Sequence, residues 1–279
     1  MKTLLVPIDF TPTSNNAINF AVEWSRQYGY ERIILLKTFY DSMFENVIMS
    51  AEYCNLNEDY LNKCRDDAKA ELNELCHEVA QKAGKDVKIA TALSEFPLLR
   101  SIVEVVQNES PELIILGSDS YSYSSESFVA ANVITIAKVS PVKVLIVPAN
   151  YQYQPVESAL LPYNADTIKD LNKAESLRNS KPWTDLKLLA LNVNTKTSPD
   201  ERLAEVDETL KSLLKNYQHE VYHISNRNII SGIIDFTKEH DVQLIIALPG
   251  KHSFLYTFTH KSISEAIYRN ARQPVLILK

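Results

Sequence analysis

Glycine is the scarcest informative residue here: the chain has five in 279 positions, against about 7% in average proteins. A glycine-rich phosphate cradle therefore has little to be built from, and no Gly-x4-Gly-Lys-Ser/Thr loop is present. Cysteine is scarce as well. Cys54, Cys64 and Cys76 form no even set and no Cys-x-x-Cys pair, so a disulfide framework is not supported and a reducing cytoplasm is the simplest setting. Basic charge is not in excess. The 29 Lys and Arg stand against 35 Asp and Glu, for a net charge of −6, which argues against a nucleic-acid surface of the usual strength. No run is apolar for long enough to cross a membrane. The opening run is short and ended by Pro7 and Asp9, so it reads as a buried strand and not as a signal peptide. There is no Gly-x-Ser-x-Gly elbow and no supported Ser-His-Asp arrangement.

What is present is ordinary globular composition, 45% hydrophobic and 23% charged, with length for one large domain or two of about 140 residues. An internal repeat decides between them. Leu113-Ile114-Ile115-Leu116 recurs as Leu244-Ile245-Ile246-Ala247, and Val144-Leu145-Ile146-Val147 recurs as Val275-Leu276-Ile277-Leu278, both at an offset of 131. Leu5-Val6-Pro7 recurs as Leu160-Leu161-Pro162 at an offset near 155. The chain therefore reads as two copies of one module, at 1–150 and 155–279, the second shorter by about 24 residues. The extra piece lies at Asp41 to about Tyr60 and carries Met43, Phe44, Val47, Ile48 and Met49. It suits a lid, a partner-binding patch or a locally packed loop.

Each copy alternates β-rich and helical patterns. Strands are expected near 2–9, 32–39, 86–93, 113–118 and 143–148, then near 158–163, 186–193, 219–224, 243–248 and 274–278. Helices are expected near 13–28, 57–83, 97–108 and 127–139, then near 166–178, 201–216, 228–239 and 262–270. In 57–83, Leu61, Cys64, Ala68, Leu72, Leu75 and Val79 share one apolar face, which makes Cys64 and Cys76 inert thiols by default. Such alternation predicts α/β architecture, a parallel sheet with helices on both faces. A short polar link, Pro148 to Pro155, keeps the copies adjacent, as a pseudo-twofold body. Residues 1–150 hold 13 basic and 20 acidic side chains, residues 151–279 hold 16 and 15. The acidic excess sits mainly on the long helix and reads as a solvated face.

The ends of each copy carry a family resemblance. Leu4-Leu5-Val6-Pro7-Ile8-Asp9-Phe10-Thr11 with Ser14 and Ala17, and Ser140-Pro141-Val142-Lys143-Val144-Leu145-Ile146-Val147-Pro148, resemble the opening and closing segments of a universal stress protein domain. The resemblance covers nearly the whole chain, in tandem. It implies two doubly wound parallel five-stranded sheets of the adenine-nucleotide alpha hydrolase-like kind. It also implies final strands, near 144–147 and 275–278, that pair within one chain, and it leaves a further homodimer open. Nucleotide-binding members carry Gly-x2-Gly-x9-Gly-Ser/Thr after the fourth strand, where backbone amides reach phosphate oxygens. Here the first-copy positions are Gly117, Ser120, Ala130 and Ala131, and the second-copy positions are Leu248, Lys251, Lys261 and Ser262. One motif glycine of six survives. Asp9 matches the acidic residue that contacts the nucleoside in binding members, while Asn164 or a neighbour stands there in the second copy.

The expectation is a cytoplasmic, non-catalytic tandem member that acts in stress through unidentified protein partners, with weak or no ATP binding and no other cofactor, nucleic acid or membrane. The alternative is a nucleotide sensor or slow ATP hydrolase using Asp9, Gly117, Ser118 and Ser120, with Ser122, Ser124 and Ser125 as further hydroxyls. In the second copy Lys251, His252, His260 and Lys261 bracket Phe254, Tyr256 and Phe258. They suit an anion site built on side-chain charge or simple packing of the loop. His219 and His223 share a strand face but lack further ligands nearby for a metal.

Overall fold

The first strand needs no amphipathic pattern, because all six of its residues are buried. In the computed structural model, which describes residues 1–39, 58–119, 127–163, 186–194, 203–247 and 272–279, the chain divides into two compact units. They are Met1–Gly117 with Ser124–Val142, and Ser118–Tyr123 with Lys143–Lys279.

The first unit runs β1 (Thr3–Ile8), α1 (Pro12–Tyr28), β2 (Arg32–Thr38), α2 (Glu58–Ala83), β3 (Lys88–Ser94), α3 (Leu98–Glu109), β4 (Leu113–Ser118), α4 (Phe128–Ala131) and α5 (Val133–Val139). Its strand order is β3-β2-β1-β4. Every pair is parallel: Thr3 faces Arg32, Leu4 faces Leu113, and Arg32 faces Lys88. Parallel strands covered on both faces carry apolar side chains at every position, and Ile33–Leu36 and Leu113–Leu116 are all buried. Helix α1 starts at the Thr11 N-cap with Pro12 following, and ends at Gly29 in the left-handed region, φ 64. These are the stop and start signals that local sequence supplies. Its core stripe is aromatic: Phe20, Trp24 and Tyr28 recur every four residues, with ring centroids 5.7 and 4.2 Å apart. Helix α2 buries Ala68, Leu72, Val79 and Ala83. Cys64 and Cys76 are only half-buried free thiols, at the margin of the stripe.

The expected helix 127–139 is two helices. At Asn132 the backbone leaves helical geometry (φ −103, ψ 2). The Asn132 side chain donates to the Phe128 carbonyl at 2.9 Å, a local bond that competes with helix continuation, and β-branched Val133, Ile134 and Thr135 follow.

The second unit holds β5 (Lys143–Pro148), β6 (Ser158–Tyr163), β7 (Lys187–Asn194), α6 (Leu203–Leu213), β8 (Gln218–Ser225), α7 (Ile229–Glu239), β9 (Leu244–Ala247) and β10 (Val275–Ile277). Its order is β5-β10-β9-β6-β7-β8, so β10-β9-β6-β7-β8 repeats the order of the first copy. Strand β5, the closing strand of the first copy, pairs antiparallel with β10, with Leu145 facing Leu276. The two closing strands do pair within one chain. Gln243 anchors the entry of β6: its side-chain oxygen accepts from the amides of Glu157 (3.2 Å) and Ser158 (2.9 Å). Among the described residues, no helix is long and apolar enough to cross a membrane.

Candidate functional site

In open α/β sheets ligands bind outside the carboxyl ends of the strands. The chain leaves β1 at Ile8 and turns at once through Asp9, Phe10 and Thr11. Phe10 has φ 61, a left-handed conformation uncommon for a bulky side chain, and its ring lies 5.0 Å from the Lys37 ammonium. The turn aims the Asp9 carboxylate back into the first unit. One oxygen, Oδ1, accepts from the Thr11 hydroxyl (2.6 Å) and the Thr11 amide (3.3 Å). The other, Oδ2, accepts from the Ser127 hydroxyl (2.6 Å) and the Val129 amide (3.0 Å). A carboxylate offers about four lone-pair sites, so Asp9 is fully occupied by its own chain. Burial pushes its pKa up, but the bonds from Ser127, Thr11, the Val129 amide and Ser14 outweigh that and hold it below the usual 3.8.

The surrounding groups are satisfied in turn. The Ser127 hydroxyl accepts from the Ala130 amide at 3.0 Å. The Ser14 hydroxyl donates to the Thr11 carbonyl at 3.1 Å and receives the Asp9 amide at 3.4 Å. Gly117 explains itself sterically: a Cβ there would sit 2.5 Å from the Thr13 carbonyl oxygen. The one motif glycine that remains thus permits close packing of β4 on the start of α1.

Among the described residues, those around the Asp9 turn do not fit a nucleotide phosphate. The Val129 and Ala130 amides, which would meet a phosphate, are engaged by Asp9 and Ser127. A phosphate charge about 4 Å from the Asp9 carboxylate would cost about 4 kcal/mol at an effective dielectric constant of 20. That is half of the roughly 8 kcal/mol of a micromolar site.

Of the other expected residues, Ser118 is buried at the end of β4, its carbonyl accepting from the Ala149 amide at 2.8 Å. Ser120, Ser122, Ser124, Ser125, Asn164, Lys251, His252, His260 and Lys261 lie outside the described residues, as do the segment 41–57 and the helices expected at 166–178 and 262–270. His219 and His223 do not act together. His219 Nδ1 meets the Tyr217 carbonyl at 3.0 Å, and His223 Nε2 meets Asp207 Oδ2 at 2.8 Å. Sequence reading passed over Ser127 and Val129, and took Thr11 only as part of the opening motif. Ser127 carried a signal, a serine just before a helical pattern, which is an N-cap position. It likewise passed over Tyr163, whose hydroxyl donates to Asp207 Oδ1 at 2.9 Å. Burial first, then the bond to Asp207 and its charge, raise the Tyr163 pKa.

The fold defines a doubly wound α/β protein whose strands pair in parallel except for the antiparallel β5–β10 pair. The model of the Universal stress protein family matches residues 1–148, more than half of the chain, and the chain belongs to that family. A universal stress protein from Archaeoglobus fulgidus has a similar structure, with a TM-score of 0.67 at 17% identity over 99% of this chain and 96% of that one. A putative universal stress protein from Pseudomonas aeruginosa gives 0.57 at 15% identity over 100% and 93%. At such identities the likeness is one of fold. No curated protein matches the chain.

Proposed function

We propose that this chain is a non-catalytic stress-response protein of the cytoplasm that acts through protein contacts and uses no nucleotide cofactor in its first repeat. Family membership supports the stress-response role. The observation that carries the rest is the Asp9 carboxylate, with four donors from its own chain. To contact a nucleoside it would first have to release Thr11, Ser127 or Val129. The protein partners and any homodimer are part of the same proposal.

Calorimetric titration of the full chain with ATP and magnesium, with analysis of a boiled extract for carried-over nucleotide, tests it. We expect no saturable heat and no nucleotide. Tight binding at one site per chain would overturn the proposal in favour of a nucleotide sensor.

A further inference from the structure

The two repeats serve as moulds of each other, and they differ at one place on the sheet. Register fixes the equivalence of the edge strands. In the first unit Ile34 faces Ala90 and Leu36 faces Ala92. In the second, Leu189 faces Glu220 and Leu191 faces Tyr222. Tyr222 therefore occupies the position of Ala92. The bonds that bring the chain from helix to sheet, Glu112 amide to Thr3 carbonyl and Gln243 amide to Ser158 carbonyl, align α3 with α7. Phe236 then corresponds to Val105 and His240 to Glu109.

In the second unit these positions form a closed aromatic cluster. The Tyr222 ring stands edge-on to Phe236 (5.0 Å between centroids) and to His240 (5.1 Å), which stack on each other at 3.8 Å. The Tyr222 hydroxyl donates to Glu220 at 2.5 Å, and Glu220 holds the Lys187 ammonium at 2.8 Å. In the first unit the same surface is hollow. Alanine and valine replace the rings, and a groove of about 430 Å³ remains between β2, β3 and α3. That volume falls within the range of small-molecule sites.

The floor of the groove is apolar, made by Ile34 and Leu36 with Val105 on the helix side. Its rim is charged. Arg32 is paired with Glu109 at 2.5 Å, whereas Glu104 lines the groove with no ion-pair or hydrogen-bond partner among the described residues. Relative to the second repeat the first lacks the rings of Tyr222, Phe236 and His240, with Ala92, Val105 and Glu109 in their places, and the exposed Glu104 adds negative charge to the rim.

We propose that this groove of the first unit binds a small planar aromatic amine. The ring takes the place that Tyr222 fills in the second repeat, and the ammonium pairs with Glu104. Binding here is independent of the turn at Asp9 and of any nucleotide.

The test uses the full-length protein titrated with tyramine and followed by amide chemical shifts. Two variants accompany it: Ala92→Tyr, which installs the filling residue of the second repeat, and Glu104→Gln, a solvent-facing change on α3. The expected result is saturable shifts along β2, β3 and α3, abolished in Ala92→Tyr and weakened about tenfold in Glu104→Gln, the size of a lost charge-assisted bond. Absence of saturable shifts in the wild type would overturn the proposal. So would affinity that Glu104→Gln leaves unchanged, a result that stands even if Ala92→Tyr does not fold.

Discussion

Four donors from its own chain converge on Asp9, the residue that resembles a nucleoside ligand. Asp9→Asn keeps the size of the side chain but loses acceptor capacity at one oxygen. We expect it to cost about 1.5–3 kcal/mol, the range for hydrogen bonds to a charged group, read as a lower urea midpoint at unchanged slope. The pH dependence follows from the direction of the shift. The folded carboxyl lies below its unfolded value. Asp9 therefore contributes stability that is complete above about pH 4 and is lost as pH falls through the folded value. The acid limb of the melting temperature should flatten in Asp9→Asn, and an unchanged limb would show that the four bonds do not form in solution. Gly117 gives a second residue-scale prediction. Because the clash is with the Thr13 backbone, Gly117→Ala should destabilise by about 1–3 kcal/mol, as overpacking does. A melting temperature equal to that of the wild type would refute the close approach.

At the scale of elements, helix ends were legible wherever caps were in the sequence. The long helix was expected over 57–83 and spans Glu58–Ala83, stopped by Gly84 at φ 83. The 127–139 region was not legible. Its apolar spacing is helical, but the Asn132 side chain takes a nearby carbonyl and divides it, and periodicity does not register a single competing bond. Helix α7 allows a clean test of capping. Its N-cap Asn228 accepts from the amides of Ile230 (2.9 Å) and Ser231 (3.2 Å). By contrast α3 starts at Pro97 with no side-chain cap. Asn228→Ala should cost about 1 kcal/mol in a urea titration, and a loss near zero would mean that solvent replaces the cap.

At the scale of the molecule, the repeat is an economical device for strand edges. β5 and β10 each close one copy, and each covers the other: Leu145 and Leu276 face each other in the antiparallel pair and both are buried. Removal of residues 275–279 would leave Val144, Leu145 and Ile146 on an unpaired apolar edge, the situation that leads to edge-to-edge association. Light scattering of the truncated chain should show self-association, and a particle no larger than that of the full chain would contradict the role given to this pair. The family model matches only the first copy, residues 1–148, although the strand order recurs in the second unit. Register and burial persist where the sequence pattern has drifted, because a covered parallel strand asks only for apolar volume.

The sequence alone determined the repeat, the alternation of strand and helix, and the poverty of glycine that argues against a glycine-built phosphate cradle. Each of these is written in windows of a few to twenty residues, where periodicity and backbone propensity act. Only the tertiary structure decided what meets Asp9. Its partner Ser127 lies 118 positions away, brought there by the packing of β4 on α1 and not by any local preference. The tertiary structure also decided that Ala92 borders a groove while Tyr222 fills its counterpart. The side chains facing across a parallel sheet and its covering helix come from segments that no sequence window spans.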